Sequence, residues 1–343
     1  FWKKPKPSKA MIKSVDLMKT SSFDEIAKLI NDALKAGTSN DLGYDYMEDF
    51  ELRFEEKARN PVTTGWEPLD KITKGGLGKG ELGVVIAPTG AGKSMVLVHL
   101  GAKALMAGKN VVHYTLELGD TVVGTRYDSC ITGYELNDVR AFKEQIYDEL
   151  REIPGKLIIK EYPTRSATIQ TIRNHIEKMK ITGFEPDMII VDYADLIKPG
   201  GNSKEERRHQ LEALYEELRG ISQEVKCPIW TASQTNRSGL SAEVITMESI
   251  SEAFNKCFVA DFIFSVSRTA ADKETNTGRI YVAKNRNGPD GIIYPIFMNT
   301  ANVKIKVLPK MLTTEEMEDV TKNAAKRQKE IVAERYNKMK GGE

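Results

Sequence analysis

Cysteine and histidine are scarce in this chain of 343 residues. Its three cysteines, Cys130, Cys227 and Cys257, share no CxxC spacing, and its four histidines are equally scattered. This pattern excludes a zinc ribbon and a disulfide scaffold, and it suits a reducing compartment. No run reaches the roughly eighteen apolar residues that a membrane helix needs. No secretory leader is visible either, so the expectation is a cytoplasmic protein with no membrane partner. An excess of one charge is also lacking. Lys and Arg number 50 against 49 Asp and Glu, a formal net charge of +1. A wholly basic face is thereby excluded, and any nucleic-acid site must be local. The first residue is Phe1 rather than Met, and a fragment of a longer protein is expected.

What remains is an ordinary globular composition, 40% hydrophobic and 29% charged, long enough for one large domain or two smaller ones. Residues 1–20 are rich in Lys and Pro and read as a linker. Ser22-Phe23-Asp24-Glu25 is a capping-box pattern, and Ile26, Leu29, Ile30, Ala33 and Leu34 follow at helical spacing up to Gly37. The apolar stripe of this helix, about 22–36, packs either on its own domain or on a neighbouring subunit. A second helix is expected over 43–58, broken at Asn60-Pro61. The expected domains are therefore a linker over 1–60, a main domain over 61–310 and a charged helix or tail over 311–343.

Within the main domain, buried strands are expected at Leu82–Ala87, Val111–Leu116, Leu157–Ile159, Met188–Val191 and Ile229–Ala232. Helical patterns at 94–107, 166–180 and 205–225 separate some of them. That alternation predicts an α/β fold, a mainly parallel sheet with helices on both faces. After residue 260 the runs DFIFSVSR, GRIYVAKNRNG and IIYPIFMN leave room for turns only, and antiparallel strands at the sheet edge are expected.

The strongest signal is GVVIAPTGAGKSMVLVHL, a buried strand running through Ala87, Pro88, Thr89, Gly90, Ala91, Gly92, Lys93 and Ser94 into a helix that continues with Met95. This is the strand–loop–helix setting of a P-loop, with Ala87 where the pattern's first glycine would stand. Backbone N–H groups at Gly90, Gly92 and Lys93 and the helix dipole suit phosphate. Lys93 is expected to reach the terminal phosphates of ATP or another NTP, and Ser94 to coordinate Mg²⁺. PDMIIVDYADL supplies a hydrophobic strand ending at Asp192, the second anchor for Mg²⁺, with Asp195 less well placed beyond the strand end. Glu117 closes the NVVHYTLE run. In a parallel sheet its strand end shares an edge with the P-loop, which makes it a candidate base, though the residues by themselves favour an ordinary surface glutamate.

Taken in order, these motifs resemble the RecA-like ATPases, in particular the DnaB-type hexameric replicative helicases. The matching stretches are TTGWEPLDKITKGGLGKGELGVVIAPTGAGKS, TLELGDTVVGTRYDS, MIIVDY, PIWTASQTNR and VAKNRNGPDG. FDEIAKLINDAL, GYDYMEDFE and LDKITKGG are closer still to the replicative helicases of T-even-like bacteriophages. The resemblance implies a RecA-like P-loop NTPase with an antiparallel C-terminal edge hairpin. It also implies a homo-hexameric ring, translocation on single-stranded DNA through a central pore, a primase and a helicase loader as partners, and a virus-encoded protein in host cytoplasm. It casts Glu117 as the catalytic glutamate, Arg126 as a nucleotide-contacting arginine and Gln234 as the γ-phosphate sensor. Arg286 becomes an arginine finger acting across the subunit interface, with Lys284 as its companion. Without the resemblance, those two are solvated cations beside a Gly-Pro turn.

Two loops would hold the DNA, with Lys198, Lys204, Arg207, Arg208 and Arg237 as phosphate contacts and Glu252 in the second loop. There the sequence departs from the bacterial pattern. Ser251-Glu252-Ala253-Phe254 stands in place of Arg-Glu-Ser-Gly, which removes an arginine. Two other readings stay open at this point: a RecA-like recombinase that forms filaments, and a regulatory or loader ATPase without motor activity.

Overall fold

Among the described residues six strands run parallel, and three more, each antiparallel to the one before it, widen one edge of the same sheet. The computed structural model describes residues 45–48, 50–51, 59–199, 207–235 and 257–309. The helices expected at 22–36 and 43–58 and the tail at 311–343 lie wholly or largely outside them. Contacts divide the chain into two units, Phe1–Ala58 and Arg59–Glu343. In the first, the described residues form a turn in which Asp45 accepts from the Met47 and Glu48 N–H groups at 2.9 and 2.8 Å.

The second unit opens with α1 (Glu67–Ile72), β1 (Leu82–Ala87), α2 (Lys93–Met106) and β2 (Val111–Thr115). Then follow α3 (Asp120–Thr132), α4 (Lys143–Leu150), β3 (Leu157–Glu161), α5 (Ile169–Ile181), β4 (Met188–Asp192), α6 (Arg207–Val225) and β5 (Ile229–Gln234). The last part holds β6 (Phe262–Ser267), α7 (Ala270–Glu274), β7 (Thr277–Asn285), β8 (Ile293–Asn299) and β9 (Lys304–Val307). Strand order is β3-β2-β4-β5-β1-β6-β7-β8-β9.

Both faces are apolar because alternate side chains of each central strand point to opposite sides. Along β1, Val85 and Ala87 join one cluster with Val96, Leu97 and Leu100 of α2. Leu82, Val84 and Ile86 join the other, with Ile172 and Ile176 of α5 and Leu214 and Leu218 of α6. Gly83 is required by close packing, since a Cβ there would lie 2.5 Å from the Trp230 ring. A capping box starts α5, with Thr168 Oγ1 accepting from the Thr171 N–H at 3.2 Å.

Three expectations need correction. DFIFSVSR was expected to be antiparallel, but β6 runs parallel to β1, and reversal begins only at β7. A short helix, α7, does fit between β6 and β7, capped by Thr269 and Asp272. The edge is also more than a hairpin, because β9 adds a third antiparallel strand. Helices α3 and α4 were not anticipated either; α3 buries only Val123, Tyr127 and Ser129, too few to give a strong period.

Two histidines are sealed in the core. The His99 ring stacks on Trp66 with centroids 4.4 Å apart, and His113 Nδ1 lies 2.9 Å from the Tyr127 hydroxyl. Burial pushes both down to about 3, assisted by the Lys103 charge at His99 and the Arg126 charge at His113. An unfolded histidine titrates near 6.5, so the unfolded chain takes up protons first as pH falls. The stability these residues contribute is full above pH 6.5 and is lost as pH drops towards 3. At pH 5 the loss is about 2 kcal/mol for each. The thermal midpoint at pH 5 is expected to fall by roughly 5–10 °C from its value at pH 7.5. An unchanged midpoint would mean that both rings stay solvated or paired.

Candidate nucleotide site and the opposite end of the sheet

The C-terminal edge of the parallel strands gathers most of the expected site. β1 ends at Ala87, and the chain turns through Gly90 and Gly92, with φ of 74° and 103°, into α2 at Lys93. At Gly92 both conformation and space demand glycine, because a Cβ would sit 2.1 Å from Met298 Cε. The loop is closed by the Ala91 N–H donating to the Pro88 carbonyl at 3.2 Å. Its N–H groups thus line the start of a helix, the arrangement that receives phosphate. Met95 packs partly buried against the core.

Lys93 is 9% exposed, with its ammonium 5.4 Å from the centre of the Tyr193 ring. Burial lowers its pKa, while the charges of Glu117, Asp192 and Asp195 pull it back up. Asp192 closes β4, opposite Thr115 of β2, and is fully buried. Neither carboxylate oxygen has a hydrogen-bond partner within 3.5 Å, although the Ser94 hydroxyl is near enough to favour the ionised form. Burial pushes this carboxyl up to about 6, and Glu117 adds to the rise, while Lys93 and Arg126 oppose it. A buried acceptor left unpaired beside a phosphate loop fits a divalent cation. Ser94 and Asp192 would hold Mg²⁺ there. No cluster of three His, Cys, Asp or Glu side chains suited to a metal occurs among the described residues.

Glu117 stands exposed just past β2. Thr115 builds the turn that presents it, donating to the Leu118 carbonyl at 2.7 Å and accepting from the Leu118 N–H at 3.2 Å. The Leu116 N–H donates to the Asp192 carbonyl at 2.9 Å, which keeps that turn beside β4. Gln234 ends β5 opposite Ala87, and its amide donates to the Thr89 hydroxyl of the P-loop itself. Arg126, half-buried on α3, is near enough for its charge to act on Asp192 and His113.

One cation at this edge has no counterpart in the sequence reading. Lys273, on α7, places its ammonium 3.7 Å from where a Cβ on Gly90 would stand. Its helix is locked by Asp272, which accepts from the Thr269 N–H at 2.8 Å, the Thr277 hydroxyl at 3.0 Å and Arg279 at 3.1 Å. The signal available was Thr269-x-x-Asp272, a capping pattern. Lys273→Ala is expected to weaken nucleotide binding about 3- to 10-fold, the scale of one partly solvated charged hydrogen bond. Equilibrium titration with a fluorescent nucleotide checks it, and an unchanged affinity would remove Lys273 from the site.

Lys284 and Arg286 do not join this group. Asn285 of β7 pairs with Phe262, the first residue of β6, so both cations lie at the N-terminal end of the parallel strands. The Arg286 N–H donates to the Asp261 carbonyl, and the Asp261 N–H to that of Leu82, at 3.0 and 2.8 Å. Arg286 is therefore level with the start of β1, and the P-loop follows its other end at Ala87. The five steps from Leu82 to Ala87 span about 16 Å, farther than an arginine side chain reaches. The cations are not simply solvated. Arg286 Nη1 lies 3.0 Å from Asp261, and Lys284 donates to the Phe258 carbonyl while its ammonium sits 4.3 Å from that ring's centre. The segment is held by Asn285 Nδ2, which donates to the Ile72 carbonyl at 2.8 Å.

Of the expected DNA contacts, Lys198 is exposed just after β4, and Arg207 and Arg208 start α6. Lys204, Arg237 and Glu252 lie outside the described residues. No helix among the described residues is long and apolar enough to cross a membrane.

The profile of the DnaB-like helicase C-terminal domain matches residues 61–304. A DnaB-like replicative helicase of Enterobacteria phage T4 is 31% identical over 278 residues, 77% of this chain and 58% of that protein. The replicative DNA helicase DnaC of Bacillus subtilis is 26% identical over 254 residues, 70% of this chain and 55% of that protein. The chain thus spans somewhat over half the length of these relatives. Among solved structures, one ATPase domain superposes with a TM-score of 0.65 at 16% identity, covering 78% of this chain and 99% of that one. A DnaB-like replicative helicase described with its primase interactions gives 0.66 at 15% identity, covering 87% and 76%. The fold is therefore that of the RecA-like ATPase domains of DnaB type.

Proposed function

This chain belongs to the DnaB-like helicase C-terminal domain family, and from that membership we propose that it is the motor of an ATP-driven replicative DNA helicase, working as a hexameric ring on single-stranded DNA. One observation carries the reading beyond family membership. Lys93, Ser94, Glu117, Asp192 and Gln234 converge at one end of the sheet, while Lys284 and Arg286 stand at the other. A nucleotide held by the first set cannot be reached by the second within one chain. It can be reached from a neighbour that presents its opposite end.

In this mechanism the P-loop N–H groups and Lys93 bind the triphosphate, with Arg126 and Lys273 at its margin. Ser94 and Asp192 would hold Mg²⁺, which would supply charge that neutralises the phosphates. Glu117 orients water and takes its proton. Arg286 of the adjacent subunit, accompanied by Lys284, stabilises the charge that develops on the γ-oxygens. Gln234 touches Thr89 and leads directly into the segment expected to carry a DNA loop, so it can pass the phosphate's presence to that loop. Lys198, Lys204, Arg207, Arg208, Arg237 and Glu252 remain the proposed DNA set. Docking of the 22–36 helix on a neighbour, a primase and a loader as partners, and a place in host cytoplasm belong to the same proposal.

The test is complementation between two inactive variants. Glu117→Gln and Arg286→Ala are each expected to form rings with little DNA-stimulated hydrolysis. Mixed rings are expected to regain activity, because an intact Glu117 then meets an intact Arg286 from another chain. No recovery in mixed rings verified by mass would sink the shared site. Open filaments of unlimited length on DNA would instead favour a recombinase.

A further inference from the structure

The carboxylate that meets Arg286 is not an ordinary surface partner. Asp261 is 5% exposed and sits immediately before β6. Four donors converge on its two oxygens. Arg219 gives Nε at 3.2 Å and Nη2 at 3.1 Å, Arg286 gives Nη1 at 3.0 Å, and the Leu82 N–H donates at 3.0 Å. We propose that Asp261 is the positioning residue for Arg286, fixing its guanidinium for use on a neighbouring subunit's nucleotide. The inference rests on the shared-site reading above.

Three features support it. The pair is asymmetric, with side-chain exposure of 6% for Asp261 and 44% for Arg286. One partner is enclosed and fully hydrogen-bonded, and the other presents an open face. The charge balance is also suited to delivery. One carboxylate between two guanidiniums leaves a net positive charge, and Lys284 adds another, so Asp261 holds the finger without neutralising it. Arg219 takes up both oxygens, and Arg286 is held through Nη1 alone. The rest of its fork is left for phosphate. Finally, the anchorage is to the backbone. Asp261 exchanges hydrogen bonds with Leu82, the first residue of β1, and β1 leads into the chain's own phosphate loop at its other end. A buried carboxylate shared by two arginines costs desolvation, and an exposed ion pair would not need it.

Asp261→Asn keeps an acceptor for the Leu82 N–H while removing the charge that holds Arg286. We expect DNA-stimulated kcat to fall about 10- to 100-fold, the cost of a catalytic group displaced by about 1 Å. Equilibrium nucleotide affinity should move less than about two-fold, since the swap leaves the P-loop untouched and the finger acts on charge that develops only in the transition state. The decisive readout is mixing with Glu117→Gln. If Asp261 acts through Arg286, mixed rings regain activity, because the Glu117→Gln subunits bring a sound finger to the sound P-loop of the Asp261→Asn subunits. A purely structural fault spreading through Leu82 to the chain's own P-loop would not be rescued, and absence of rescue overturns the proposal. So would a raised rate, which would make Asp261 a restraint. Wild-type activity in Asp261→Asn with an inactive Arg286→Ala sinks this inference alone; an active Arg286→Ala sinks the shared-site reading as well. Should Asp261→Asn fail to assemble, Asp261→Glu keeps the charge but moves it outward by one methylene. A lowered kcat rescued by mixing supports the proposal there, and a wild-type kcat overturns it.

Discussion

Replacing Arg286 by alanine is expected to lower DNA-stimulated hydrolysis by about 10³- to 10⁵-fold while leaving nucleotide affinity nearly unchanged. The two halves of this expectation have separate physical causes. Rate falls because a cation supplied in the transition state, where charge spreads over the γ-oxygens, is removed. Affinity holds because the binding contacts belong to the P-loop, a full strand length from Arg286 of the same chain. Folding should also hold. Asp261 keeps both contacts from Arg219 and the Leu82 N–H, so no buried charge is left alone. Arg286→Lys should fall between wild type and alanine, keeping charge but losing the planar fork. Single-turnover hydrolysis beside equilibrium nucleotide titration separates the two effects. A wild-type turnover rate, or a loss explained wholly by weaker binding, would remove Arg286 from the chemistry.

The unequal legibility of the two ends of the sheet has a physical basis. The P-loop edge is written contiguously: a buried strand, a glycine turn and a helix start lie within Leu82–Met95, and each restricts its neighbours. β1 was expected at its observed bounds and a strand was expected to end at Asp192, as β4 does, whereas β5 runs two residues past its apolar run. Those extra residues are Ser233 and Gln234, polar groups kept in the strand by ladder pairing rather than by an apolar period. At the other end, Asp261 and Arg286 stand 25 positions apart, and only the register of β7 on β6 joins them. Strand direction is likewise absent from an apolar run, so β6 could not be known as parallel until its place beside β1 was seen. Lys273 shows a third case. Its capping pattern was readable, but its distance from Gly90 depends on where the β6–β7 connection folds over the sheet edge.

Asp192→Asn is expected to push stability and activity in opposite directions. The carboxylate is fully buried with neither oxygen hydrogen-bonded, and burial holds its pKa up at about 6. An unfolded aspartate titrates near 3.9, so between roughly pH 4 and 6 the folded chain binds the extra proton. Stability is therefore lost as pH rises through that window, and the whole cost is present at pH 7.5. A shift of about two units corresponds to something on the order of 2–3 kcal/mol. The neutral amide avoids the charge penalty but still buries polar atoms, so part of that gain is returned. The variant without nucleotide should melt several degrees above wild type at pH 7.5, and the difference should vanish near pH 4. The acid sensitivity of His99 and His113 has the opposite sign but is common to both chains and cancels in the comparison. Activity should fall by about 10²- to 10³-fold, because the charge that neutralises the phosphates loses its protein anchor. Melting with and without Mg²⁺ and a nonhydrolysable triphosphate joins the two effects in one experiment. Wild type should gain stability from the metal–nucleotide pair, and the variant should start higher and gain little. Equal gains in both chains would show that the unpaired carboxylate at the end of β4 is not where the metal is held.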